Sequence, residues 1–145
     1  MTESSTPQTA EGGCFCSAVR YRIIGPPLLS IICHCNTCRR TSSAPSVGWL
    51  TVNRGCFELL GDPLQQFTSS PGVERTFCAK CGSPITYVST DDPDTVDITT
   101  LSLDHPELFP PSREMWLEHR VPWESSNKSL RQYPRDSSDG PYHGT

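Results

Sequence analysis

Three cysteines close together in the chain have the spacing of a metal site. Cys33, Cys35 and Cys38 combine a Cys-x-Cys pair with a Cys-x-x-Cys step. On an extended backbone the first two sulfurs project to the same side, and a tight turn brings the third to meet them. Three thiolates suit Zn²⁺ and leave its fourth tetrahedral position unassigned, which is typical of a reactive zinc site. We call these residues the cysteine triple and expect them to be catalytic.

Four other cysteines form two short-spaced pairs that are far apart in the chain. Cys14 and Cys16 could meet Cys78 and Cys81 around a zinc ion with four thiolate ligands. Such a closed site is structural, and its binding energy contributes to folding. Gly82 follows the second pair and can adopt the positive φ that a turn wrapped around thiolates commonly needs. We call these four residues the four-cysteine cluster and expect two zinc ions per chain.

Three groups could fill the fourth position at the cysteine triple. His34 lies between two of its cysteines, but the middle side chain of an extended Cys-x-Cys points away from the sulfurs. Cys56 could supply a sulfur, although a single cysteine in a strand more often acts as a small buried hydrophobic residue. Water or an incoming thiol is the third choice. Since three thiolates already donate much charge, the zinc would suit a soft ligand such as a substrate thiolate.

Several residues near the triple could bind or activate a substrate. Arg39 and Arg40 could hold its carboxylates through paired hydrogen bonds, or could offset the thiolate charge or lie on a solvated face. Trp49 could wall a substrate pocket, although an aromatic residue on a strand is often part of the core. His105 and His119 could act as acid or base, but a lone loop histidine is usually solvated, and we assign neither a role.

The elements that position these residues are expected to be mainly β-strands. Fourteen prolines and ten glycines among 145 residues indicate many turns and few long helices. One helical turn is predicted within 35–43, ended by Ala44-Pro45. Alternating residues and short apolar runs predict strands over 19–23, 28–33, 46–52, 56–60, 65–68, 76–78, 85–88, 96–101 and 114–117. We predict a disordered tail over 1–11, a single zinc domain over 12–124 and a flexible C-terminal tail over 125–145.

Composition limits the class of protein. The hydrophobic fraction of 34% gives a lean core of the kind that metal ions often reinforce. A formal net charge of −4 without a basic stripe argues against nucleic-acid binding. The sequence has no apolar run at its start and no segment approaching transmembrane length, so we expect neither an export signal nor a membrane partner. A cytoplasmic location would keep the thiols reduced and available to a metal.

Three cysteine motifs in this order resemble the glutathione-dependent formaldehyde-activating enzyme family, which includes centromere protein V-like proteins. The motifs are Gly13-Cys14-Phe15-Cys16 with Val19-Arg20-Tyr21, Cys33-His34-Cys35-Asn36-Thr37-Cys38-Arg39-Arg40, and Phe77-Cys78-Ala79-Lys80-Cys81-Gly82-Ser83. The resemblance covers about residues 11–123. It implies a zinc-containing, β-tent-like fold with a structural zinc on the four-cysteine cluster and a second zinc, associated with catalysis, on the triple. This agrees with the partition indicated by the spacing.

The resemblance also implies a reaction. The family is ascribed the addition of glutathione to formaldehyde, which gives S-(hydroxymethyl)glutathione and is classed in reverse as a carbon–sulfur lyase reaction. The expected partners are therefore a small glutathione-like thiol and an electrophilic carbonyl compound. One departure is that many members carry a histidine early in the last strand, where this chain has Glu114-Met115-Trp116. Two alternatives stay open: a non-catalytic zinc-stabilised binding module, and a related enzyme for another electrophile in a specialised pathway.

Overall fold

Two β-sheets, one short helix and several 3₁₀ turns make up the part of the chain that the structure describes. A computed structural model describes residues 8–139. The strands are β1 (Thr9–Gly13), β2 (Arg20–Ile24), β3 (Leu29–Cys33), β4 (Val47–Asn53), β5 (Phe57–Leu59), β6 (Gln65–Ser70), β7 (Val73–Phe77), β8 (Pro84–Ser89), β9 (Thr95–Thr99), β10 (Arg113–Met115) and β11 (Arg131–Gln132). The helix is α1 (Asn36–Ser42), and 3₁₀ turns occupy Arg54–Cys56, Thr100–Ser102, Pro106–Leu108, Leu117–His119 and Ser137–Asp139. The prediction of a small, mainly β domain is confirmed.

The larger sheet carries most of the chain and has the order β11-β10-β3-β4-β9-β8-β7-β6. Its strands are antiparallel except at one edge, where β10 runs parallel to both β3 and β11. The smaller sheet is antiparallel with the order β1-β2-β5. A bridge between Gly12 and Leu103 connects β1 to the loop that follows β9. Strands far apart in sequence therefore become neighbours: β10 pairs with β3, and β9 pairs with β4.

Strand β4 separates two cores. Its side chains alternate between faces, so that Leu50 and Val52 pack in one core with Tyr21 of β2, while Val47 and Trp49 pack in another. The first core contains sulfurs of the four-cysteine cluster, and the second contains those of the triple. The two cysteine groups thus lie on different cores of one domain.

The ends of the domain lie further out than the sequence predicted. Thr9–Glu11 belong to β1 and pair with β2, although residues 1–11 were expected to form a tail. In the expected C-terminal tail, β11 pairs with β10, and Tyr133 is buried. Both segments pair with strands elsewhere in the chain, β1 with β2 and β11 with β10. The polar composition of the segments does not reveal these pairings. Residues 1–7 and 140–145, where the rest of both predicted tails falls, lie outside the described residues.

No helix among residues 8–139 combines the length and the apolar character that crossing a membrane requires.

Candidate functional site

The four-cysteine cluster is assembled from two turns that the sheets bring together. Cys14 and Cys16 follow β1, whereas Cys78 and Cys81 follow β7, and all four sulfurs lie within 4.8 Å of one another. The Sγ–Sγ distance is 3.5 Å from Cys14 to Cys16 and 3.8 Å from Cys16 to Cys78. A tetrahedral zinc site with Zn–S bonds of about 2.3 Å requires sulfurs roughly 3.8 Å apart. The donor set therefore fits zinc.

Hydrogen bonds to the sulfurs stabilise thiolates in this cluster. The amide of Val19 donates to Cys14 Sγ at 3.2 Å, and the amide of Lys80 donates to Cys78 Sγ at 3.3 Å. Hydrogen bonds from Ser83 lower the pKa of Cys81 to about 5. Gly82 has a φ of 80°, which confirms the prediction of a positive φ after the second pair. Backbone amides thus already point at sulfurs of this cluster, as they do at thiolate ligands.

The cysteine triple is built where β3 passes into α1. Cys33 ends the strand, and Cys35 caps the helix by accepting a hydrogen bond from the Cys38 amide at 3.3 Å. This first helical turn brings the side chain of Cys38 back toward those of Cys33 and Cys35, and the three sulfurs lie within 4.8 Å of one another. Hydrogen bonds from Cys33 and Cys35, followed by the charge of Arg75, hold the pKa of the Cys38 thiol well below its usual value. Of the three thiols, Cys38 is therefore the one whose ionised form its surroundings favour most.

Neither protein candidate for the fourth ligand lies at the triple. His34 is 1% exposed and points into the protein, where its Nε2 lies 2.8 Å from Glu114 Oε1. Cys56 lies in the turn after the far end of β4, whereas Cys33 pairs with Val47 at the near end. The six residue-to-residue steps of β4, from Val47 to Asn53, place these ends about 20 Å apart. Within residues 8–139, no other cysteine, histidine or carboxylate ligand atom joins the three sulfurs.

A cavity of about 440 Å³ opens beside the triple. Trp49 and Tyr87 form one aromatic wall, with ring centroids 5.8 Å apart, and Trp116 contributes another. Trp49 therefore lines this cavity, as its predicted role in substrate binding requires, although that role stays a prediction. Cavities of this size accept small-molecule ligands.

The cavity also contains polar residues to which the sequence analysis gave no role. Arg75 of β7 is buried beside Cys38, and Asp97 of β9 accepts a hydrogen bond from Thr51. Burial raises the pKa of Asp97 to about 6. Arg75 alternates in phase with Val73 and Phe77, and a charged residue on such an apolar face is a signal that could have drawn attention to it. Asp97 lies between Val96 and Ile98, so alternation assigns it to the polar face and gives no such signal.

His119 lines the same cavity, with a fixed ring orientation. Its Nδ1 accepts a hydrogen bond of 3.3 Å from the Asn36 amide, and its ring lies 4.9 Å from that of Trp116. Trp116 has a φ of 60°, a left-handed conformation that costs energy in a residue with a side chain. Since Nδ1 accepts, the proton of a neutral ring resides on Nε2. His105, by contrast, is exposed and lies 3.3 Å from Glu107.

Arg39 and Arg40 lie away from this cavity. They line a separate surface depression with Pro45, Val121 and Trp123, and Arg39 donates a hydrogen bond to Asn36. The structure thus brings Trp49 to the triple but not these two arginines. Their predicted contact with substrate carboxylates stays untested.

The fold and the two cysteine groups define a class of protein: a small β-domain with one closed and one open thiolate site, each able to hold a metal ion. The sequence profile described as glutathione-dependent formaldehyde-activating enzyme matches residues 9–119. The chain therefore belongs to this family.

Known proteins resemble the chain to different extents. A Halomonas elongata protein, provisionally named as a glutathione-dependent formaldehyde-activating enzyme, is 29% identical over an alignment 145 residues long. This alignment covers 88% of this chain and 90% of the relative. An uncharacterised lyase of Schizosaccharomyces pombe is 33% identical over 82 residues, which span 56% of this chain and 58% of that protein. A crystal structure of a Rhodobacter sphaeroides protein superposes with a TM-score of 0.51 and 20% identity, over 65% of this chain and 87% of the other. The last likeness concerns the fold alone.

Proposed function

We propose that the protein is a zinc-dependent carbon–sulfur lyase that forms or cleaves S-(hydroxymethyl)glutathione. The observation that carries this proposal is the cysteine triple, which has three convergent sulfurs, no fourth protein ligand among the described residues and a cavity beside it. Family membership supports the glutathione-linked formaldehyde chemistry, and the name of the yeast relative supports a lyase.

Zinc would be held at two places in this proposal. The four-cysteine cluster would hold a structural ion, and Cys33, Cys35 and Cys38 would hold the second. When bound at the second site, zinc would supply a position for a thiol and would lower the pKa of that thiol.

The remaining steps belong to residues of this chain. In the forward direction the thiol loses its proton, its sulfur forms a bond with the carbonyl carbon, and the C=O π bond breaks. The alkoxide oxygen then takes up a proton from solvent, which replaces the one that the thiol released to solvent, so that the adduct forms without any other reactant. His119 is suited to donate a hydrogen bond from Nε2 to this oxygen as its negative charge develops, because the Asn36 amide already occupies Nδ1. The aromatic walls formed by Trp49, Tyr87 and Trp116 limit the access of water, which would compete for the carbonyl compound.

Zinc content and an activity assay test the proposal together. The purified protein should contain two zinc ions and should consume formaldehyde only when glutathione is present. Cys35→Ser should abolish this turnover while leaving the fold and one zinc ion in place. Cys56→Ser is the matched control, since that cysteine lies at the far end of β4, and it should keep both ions and full activity.

X-ray absorption separates the proposal from the binding-module alternative. Three protein sulfurs at one zinc site and four at the other support an enzyme. Four sulfurs at both sites, together with full turnover by Cys35→Ser or no turnover by the wild type, would contradict the enzymatic proposal. The expected partners are small molecules, and a cytoplasmic location remains a prediction that rests on the need for reduced thiols.

A further inference from the structure

Arg75 is a buried cation without a carboxylate partner. Its residue is 6% exposed, and none of the ion pairs in the described part of the chain includes it. Its Nε donates to Ser69 Oγ at 2.8 Å, and its Nη1 donates to Thr41 Oγ1 at 3.3 Å. Both partners are neutral. Because a buried charge is costly unless it is paired, the compensating anion must come from elsewhere.

The nearest anionic group is a sulfur of the triple. Both terminal nitrogens of Arg75 approach Cys38 Sγ, with Nη1 at 3.7 Å and Nη2 at 3.6 Å. These distances are in the range of N–H···S hydrogen bonds, and a two-pronged contact with an anion fixes geometry as well as charge. The guanidinium is therefore aimed at the cysteine triple and not at solvent.

Aromatic rings hold the guanidinium in this position. Its carbon lies 5.8 Å from the ring centroid of Trp49 and 5.0 Å from that of Tyr87. Cation–π contacts of this kind favour Arg over Lys, because a planar group can stack while its edge donates hydrogen bonds. Three elements thus place Arg75: β7 supplies it, while β4 and β8 supply the rings that restrict it.

Arg75 would offset the charge of the metal-binding group itself. Three thiolates with one divalent cation would carry a net charge of −1, which the guanidinium would neutralise. Without the arginine, the excess negative charge would lie in a partly desolvated site, where its cost is higher than in water. An incoming thiolate would add a further negative charge and would make the same compensation more valuable.

We infer that Arg75 is a positioning residue of the second metal site, which holds the Cys38 thiolate in place and offsets the charge of the triple so that zinc binds tightly. The inference rests on the proposed function only in requiring the triple to hold zinc. It concerns metal affinity and can be measured without any substrate. Groups that orient or polarise metal ligands typically contribute about 10–100-fold to metal affinity.

Competition between the protein and a chromophoric zinc chelator tests this role. Arg75→Gln should raise the dissociation constant of one of the two zinc ions by about 10–100-fold and leave the other unchanged. Cys35→Ser, which removes the triple's ion, identifies which of the two constants belongs to the triple. Arg54→Gln makes the same charge change at an exposed position beyond the far end of β4, and it should alter neither constant. Circular dichroism checks that each variant folds.

If Arg75→Gln does not fold, the zinc affinity of Arg75→Lys tests the inference in its place. Lysine retains the charge but loses the two-pronged contact and the stacking, so its zinc affinity at the triple should fall between those of the wild type and Arg75→Gln. Unchanged zinc affinity in a folded Arg75 variant, or equal weakening at both sites, overturns the inference alone. A wild-type protein that binds only one zinc ion overturns both the inference and the proposed function. Two ions without formaldehyde consumption contradict the proposed function only.

Discussion

Replacing Glu114 by alanine should destabilise the domain strongly. Glu114 is 2% exposed, and its carboxylate binds three groups. Oε1 lies 2.8 Å from His34 Nε2, while Oε2 accepts hydrogen bonds from the Asn127 amide at 2.8 Å and from Gln132 Nε2 at 3.2 Å. One side chain therefore connects the residue in the middle of the Cys-x-Cys pair to the C-terminal segment.

The size of the effect follows from what the substitution leaves behind. His34 is 1% exposed and would lose its partner in a place that water does not reach. Leaving a buried hydrogen-bonding group without its partner costs about 1–3 kcal/mol, with the upper end for a lost charged acceptor. Asn127 is exposed and Gln132 partly so, and water can replace the lost acceptor there. We therefore expect Glu114→Ala to lower the free energy of unfolding by about 2–3 kcal/mol. Glu114→Gln, which retains one acceptor oxygen and the shape, should cost less, about 1 kcal/mol.

Urea unfolding of the zinc-loaded protein, followed by circular dichroism, measures these values. Glu118→Ala is the matched control: Glu118 is partly exposed and pairs with Arg135, so its loss should cost less than about 1 kcal/mol. Trypsin should also cleave after Lys128 more rapidly in Glu114→Ala than in the control, because the C-terminal segment loses an anchor. A cost for Glu114→Ala as small as that of the control would refute the reasoning.

Three further predictions concern other parts of the molecule. Cys16→Ser should remove one zinc ion and lower the unfolding midpoint, whereas Cys56→Ser should keep both ions; equal zinc loss in the two variants would contradict the assignment. The pKa of Asp97 is raised from 3.8 to about 6, so its stabilising contribution is present below pH about 4 and is lost as pH rises through 6. Urea unfolding should therefore show that the free energy of unfolding of Asp97→Asn, relative to that of the wild type, rises by on the order of 1 kcal/mol between pH 5 and pH 7.5. If this difference does not change with pH, the raised pKa of Asp97 is excluded. His119→Ala removes the hydrogen-bond donor to the developing oxyanion and should lower kcat about 10²–10³-fold with two zinc ions retained, while His105→Ala should not; equal kcat values for both variants would remove His119 from the mechanism.

The cysteine groups could be predicted because their signal is local. A Cys-x-Cys or Cys-x-x-Cys spacing constrains the sulfurs through only a few backbone dihedral angles, and the spacing separated the two groups correctly. The same local logic gave the direction of the His34 side chain and the positive φ of Gly82. Most strands also followed from alternation, because each strand presents one face to a core.

The residues around the triple depend on pairings between distant parts of the chain. Arg39 and Arg40 are adjacent to the motif in sequence, but α1 directs them to another face. Arg75 is 37 residues away from Cys38 and reaches it only because β7 crosses the sheet beside β8. The place of His119 likewise depends on the turn that follows β10.

The sequence by itself determined which cysteines form each of the two sulfur groups, because residue type and short spacing are properties of a continuous segment. It also determined the β-rich class of the fold. Only the tertiary structure decided that Cys56 lies away from the triple, that Glu114 binds the C-terminal segment, and that Arg75 contacts Cys38. These depend on which strands become neighbours, and sheet order is a global property that no local pattern of residues contains.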